Sequence, residues 1–158
     1  MRYFLEVLLT KIVDTNIVYK QVKVDITQKT ENPDDLVLLV VQKHNQAIIE
    51  RNRLISHSTS WRYVSGGETI ITYVVYSDDF DFAVHEAASL PIEQMYIAES
   101  GDTTHPGPKE IPLESVISHG VRHLAYLVTN NPSVYAVVLD ANTLLRFKEI
   151  DAALAGKI

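Results

Sequence analysis

The chain has 158 residues, 46% of them apolar and 22% charged, with a formal net charge of −6 and no cysteine. A length like this suits a single domain, here 1–158, which buries about two-thirds of the surface its unfolded chain exposes and folds without a metal or disulfide staple. The missing cysteine excludes disulfides, thiolate catalysis and sulfur-bound zinc, and fits a cytoplasmic localisation.

Charge is unevenly placed. Residues 1–77 hold nine Lys and Arg against eight Asp and Glu, whereas residues 78–158 hold five against twelve. The acidic second half repels phosphate backbones and neither half contains a basic run, so nucleic acid is not an expected partner.

The opening "MRYFLEVLLTKIV" is basic and then apolar, like a secretory leader, but Glu6 interrupts the apolar stretch and no small-residue cleavage site precedes Lys11. Its alternation of Tyr3, Leu5, Val7 and Leu9 fits a strand, although Phe4, Leu5, Leu8, Leu9 and Ile12 also fit a helix. No cap precedes residue 2, "VDTNIV" has turn character, and Val18, Val22, Val24 and Ile26 then alternate with polar residues. Residues 2–27 therefore read as a hairpin.

Asn32, Pro33, Asp34 and Asp35 make a helix start, and the apolar spacing that follows predicts a helix over 34–53. The longest apolar run of the chain, "LVLLVV" at 36–41, is too short to span a membrane, so no membrane partner is expected. A second hairpin is signalled by two β-rich arms around Ser65-Gly66-Gly67-Glu68, where glycine supplies the positive φ of a tight turn. "FDFAVHEAASL" suits a short helix and "QMYIAES" a short strand. Residues 100–112 contain two of the six glycines and three of the six prolines, and read as a loop. Helices are expected over 113–128, from Asn131-Pro132 to Leu139, and from Asp140 or Asn142 until Gly156 ends the last. The fold class that results is α+β: an antiparallel sheet of two hairpins packed with helices on one face or end, and a helical C-terminal third.

On the helix 113–128, Leu113, Val116, Ile117, Gly120, Val121, Leu124, Leu127 and Val128 form one apolar stripe. Gly120 within it points to close approach of another element. His119 and His123 lie off the stripe, and Ser115, Arg122 and Tyr126 share the polar side with His119. A pair of histidines four apart can bind a metal, but Gly120 stands where the metalloprotease motif needs Glu, and Arg122 opposes a dication. Solvated helix surface is the ordinary reading of such a face, so no metal and no cofactor is expected. Were another element to cover it, Ser115, His119, Arg122, His123 and Tyr126 would line a cleft, with Arg122 as anion anchor and the acidic surroundings favouring charged histidine.

The single Trp61 stands in "SWRY" with Tyr63 on its own strand face and Arg62 on the other. The hairpin core is its ordinary place, and stacking against a ligand ring the alternative. Glu99, Asp102, His105 and Glu110 lack the spacing of a calcium loop, and Asp78, Asp79 and Asp81 sit together at a strand end. No nucleophile elbow, phosphate loop or dinucleotide fingerprint is present. The expected function is a non-catalytic binding or interaction protein that self-associates as a homo-oligomer. The alternative is a small enzyme or ligand-binding domain with its cleft at His119, Arg122 and His123.

Overall fold

A computed structural model describes residues 1–82, 84–105, 107–108 and 110–154. Two hairpins are present. The first joins β1 (Arg2–Val13) to β2 (Asn16–Asp25), and the second joins β3 (Ile55–Val64) to β4 (Glu68–Tyr76). Gly66 and Gly67 turn the second hairpin at φ of 103° and 80°, the left-handed region where a side chain is strained. The helices are α1 (Pro33–His44), α2 (Leu113–Asn130), α3 (Pro132–Tyr135) and α4 (Ala141–Leu154). The α+β class and the helical last third hold in this outline.

The sheet is mixed and not purely antiparallel as expected. β1 and β4 pair in parallel at its centre, from Arg2↔Glu68 to Thr10↔Tyr76, and a fifth strand, β5 (Ala88–Pro91), pairs with β2. The strand order is β3-β4-β1-β2-β5. The helices also cover both faces, where the sequence had placed them on one face or end. Leu5, Val7 and Leu9 pack with Leu36, Val37, Val40 and Val41 of α1. Leu8 and Ile12, one step out of phase on β1, pack with Ile117, Val121, Leu124 and Val128 of α2 and with Phe147 of α4. A central strand sandwiched in this way loses its polar side, so β1 reads apolar almost throughout.

Two other boundaries move. α1 ends at His44, not near 53, because the buried Asn45 side chain is drawn into tertiary bonds. Its Nδ2 donates to the carbonyl of Ala47 (2.6 Å) and its Oδ1 accepts from the amide of Asp81 (3.0 Å). The fifth strand falls at 88–91, between two short 3-10 turns, and not within "QMYIAES". Gly156, expected to end the last helix, lies outside the described residues. Other signals hold: Asn32 Oδ1 caps α1 at the amide of Asp34 (3.0 Å), and Asn131 Oδ1 caps α3.

One polar row crosses the sheet on the α2 side. Glu6 of β1 is 1% exposed. Its carboxylate accepts from both terminal nitrogens of Arg62 on β3 (2.9 and 3.0 Å), from the Thr72 hydroxyl on β4 (2.8 Å) and from Gln21 Nε2 on β2 (2.8 Å). Burial pushes the Glu6 pKa up, but Arg62, Thr72 and Gln21 outweigh it and hold it below the usual carboxylate range. A register shift between Ser58 and Ser60 brings Arg62 to this side.

Gly120 is where α2 meets the sheet. A Cβ built there would lie 3.2 Å from Val74 Cβ on β4. Gly120→Leu is expected to destabilise the fold by about 1–3 kcal/mol through overpacking, read as a lower melting temperature; an unchanged melt would refute the close approach. Removing the guanidinium is expected to do more. Arg62→Leu leaves Glu6 charged and unpaired, with a loss of about 3–5 kcal/mol in denaturant unfolding, whereas Glu6→Gln/Arg62→Leu together recover much of it.

Candidate functional site

The polar side of α2 faces the edge strand β3 across an open groove of about 550 Å³, with His57, Ile97, His119, Arg122, His123, Tyr126 and Leu127 along it. The spacing of four in α2 brings the rings of His119 and His123 to 4.5 Å between centroids. His57, on the same sheet face as Val74, closes the other wall. Its ring lies 5.4 Å from that of His123, with His57 Nε2 and His123 Nδ1 3.4 Å apart. One of those nitrogens donates and the other accepts with its lone pair, so the contact needs at least one of the two imidazoles to be neutral.

Two buried serines set the end of the groove. Ser115 Oγ accepts from the amide of Ala98 (2.8 Å), and Ser118 Oγ accepts from the amide of Tyr96 (3.2 Å) while donating to the carbonyl of Glu114 (2.7 Å). Segment 96–98 is thereby strapped onto the first turns of α2, which places Ile97 beside His119. Ser115 is therefore not part of an exposed polar side, as the helical spacing implied; it is buried and engaged, although it borders a smaller hollow of about 210 Å³ shared with His119 and Arg62.

His119, Arg122 and His123 are each half-buried, and Tyr126 is exposed. The groove thus gathers four of the expected site residues, His119, Arg122, His123 and Tyr126. It adds His57, which no motif singled out because its partner lies far along the chain. The sixth, Trp61, is not in this groove, although it borders the smaller hollow with Ser115 and His119. It is 67% exposed on the opposite face of β3, edge to face with Tyr63 at 5.4 Å, so the expected core position is wrong. Burial was predicted from residue type, but α1 packs against β1 and leaves this corner of the sheet uncovered.

Among the described residues no carboxylate lines the groove. Glu93 and Glu149 share a neighbouring hollow with Arg122, but neither pairs with it among the described residues, and Glu149 accepts from Arg146 at 2.8 Å. The expectation that acidic surroundings would favour charged histidine is reversed at His123. Burial pushes His57 down, and burial followed by the charges of His119 and His57 pushes His123 down. Among the described residues no three His, Asp or Glu are placed to hold a metal ion. No helix among them is long and apolar enough to cross a membrane.

Asp78, Asp79 and Asp102 have structural duties. Asp78 accepts from the Tyr76 hydroxyl and from the amide of Leu139 (2.8 Å), and Asp79 forms a two-pronged pair with Arg53 (2.9 and 3.0 Å). Asp102 caps its own turn at Thr104 and meets His105 Nδ1 at 3.2 Å on the open surface. Neither a protein-family model nor a curated protein sequence matches the chain.

The imidazole contact makes stability depend on pH. A histidine held neutral by the fold binds its proton less readily than in the unfolded chain. Its contribution is therefore complete above the ordinary histidine pKa of about 6.5 and is lost as pH falls below that value. The melting temperature is expected to drop between about pH 7.5 and about pH 5, and to drop less in His123→Gln than in the parent. Parallel pH profiles of the two proteins would refute the assignment.

Proposed function

We propose that this chain is a non-catalytic binding or interaction protein that associates with a second copy of itself along β3. The observation that carries this reading is the exposure of Trp61 (67%) and Tyr63 (68%) on a regular strand. Large aromatic side chains left in water on an ordered sheet mark contact surfaces. Tyr3, Ile71 and the two rings border a shallow depression of about 350 Å³ on the same corner.

The strand itself supports the choice of partner. β3 is an edge of ten residues with no Pro, Lys, Asp or Glu, and its one formal charge, Arg62, is turned inward to Glu6. The opposite edge, β5, is four residues long and ends in Pro91. Short length, proline and outward-facing charge protect many sheet edges, and β3 has none of these; its protections are the register shift and the inward Arg62, which leave Ser60–Val64 regular. Beyond the register shift, Ser60–Val64 pairs with β4 without interruption. Antiparallel pairing of this stretch about a twofold axis at Arg62 would set Trp61 beside the partner's Tyr63, with four rings on one face. Sedimentation equilibrium is expected to give a dimer for the parent and a monomer for Trp61→Ser/Tyr63→Ser, with circular dichroism unchanged. A parent that stays monomeric at high concentration defeats the reading.

A second reading, a ligand-binding domain or small enzyme, draws support from Arg122. It is a guanidinium without a carboxylate partner among the described residues, beside three imidazoles in a groove.

A further inference from the structure

We propose that the groove between α2 and β3 is a site for a small carboxylate with an apolar body, held head-first at Arg122 and the histidines. The proposal rests on the second reading above, that the groove takes a small molecule, and is independent of self-association.

Charge selects the head. Among the described residues, every ionisable side chain that faces the groove is basic or neutral: His57 from β3, and His119, Arg122, His123 and Tyr126 from α2. The strapped segment contributes only Ile97. All of these ionisable groups but His57 come from the acidic half of a chain of net charge −6, where carboxylates outnumber cations twelve to five. Glu93 and Glu149 line the neighbouring hollow that Arg122 also borders, and Arg62 is paired with Glu6. An anion entering the groove therefore meets a guanidinium that has no ion pair among the described residues to give up.

The apolar lining selects the body. Ile97, Tyr126 and Leu127 are all partly or largely accessible and flank the basic cluster. A strongly hydrated anion such as phosphate would leave these surfaces uncovered, whereas an alkyl or aryl chain covers them. The histidines tie occupancy to pH. An imidazole kept neutral in the empty groove gains a proton partner when a carboxylate arrives, so binding takes up protons and tightens as pH falls.

The test is calorimetric titration of the full chain with octanoate, octanamide, octylamine and acetate. Octanoate is expected to bind, more tightly at about pH 6 than at about pH 8. Acetate, without the apolar body, should be weaker by at least about tenfold. Arg122→Gln should weaken octanoate by about ten- to a hundredfold and leave octanamide unchanged, and Arg122→Lys should retain part of the affinity. Equal binding of octanoate and octanamide would overturn the carboxylate assignment while leaving a small-molecule groove in place. Absence of binding by all four probes would overturn both. Octanoate binding indifferent to Arg122→Gln, in a variant with a parental melting profile, would place the site elsewhere and overturn the proposal.

Discussion

The Glu6 carboxylate is the constraint around which the sheet is arranged. It is buried in the middle of β1, where an unpaired charge is not tolerated, and it is satisfied only if β2, β4 and β3 all present the right donor in the same row. Arg62 reaches it across β4, so the edge strand must lie in one register and must carry a shift near Thr59 to turn Arg62 inward. Those two requirements decide the rest of β3. They send Trp61 and Tyr63 to the uncovered side, and they leave His57, before the shift, on the side of α2. The imidazole wall and the aromatic corner are thus two results of one ion pair.

Local patterns in the sequence carried further than long-range ones. The two hairpins, the caps at Asn32 and Asn131, the glycine turn at 66–67 and the amphipathic helix 113–128 all express chemistry within a few residues, and the structure places them accordingly. The parallel pairing of β1 with β4 has no such signature, because it joins segments separated by more than sixty residues and needs α1 to carry the chain across. The helical spacing of "LVLLVV" and its continuation suggested a longer α1, but a single buried amide, Asn45, redirected the backbone.

The site shows the same division. Helical spacing alone placed His119, Arg122, His123 and Tyr126 together off the core stripe. It misplaced Ser115, whose hydroxyl accepts a backbone amide from a segment that no pattern assigned to α2. Glu6 was visible as a charge inside an apolar strand, which is the one hint of the buried row. His57 had no hint at all, since its significance arises only from the strand opposite which α2 comes to rest. The lowered basicity of His57 and His123 has a similar origin: net charge describes the half-chain, while desolvation within the groove acts on those two rings.

Gly120 lies between these levels. It sits against Val74 on the inner side of α2, next in sequence to His119 on the outer side. The absence of one side chain lets the helix settle against the sheet, and the depth to which it settles fixes how far His119 and His123 stand from His57. The width of the groove is consequently gauged from inside the core, by a residue that no ligand could touch. Inheritance of a bulkier residue at 120 would reshape the opening without altering any group that lines it.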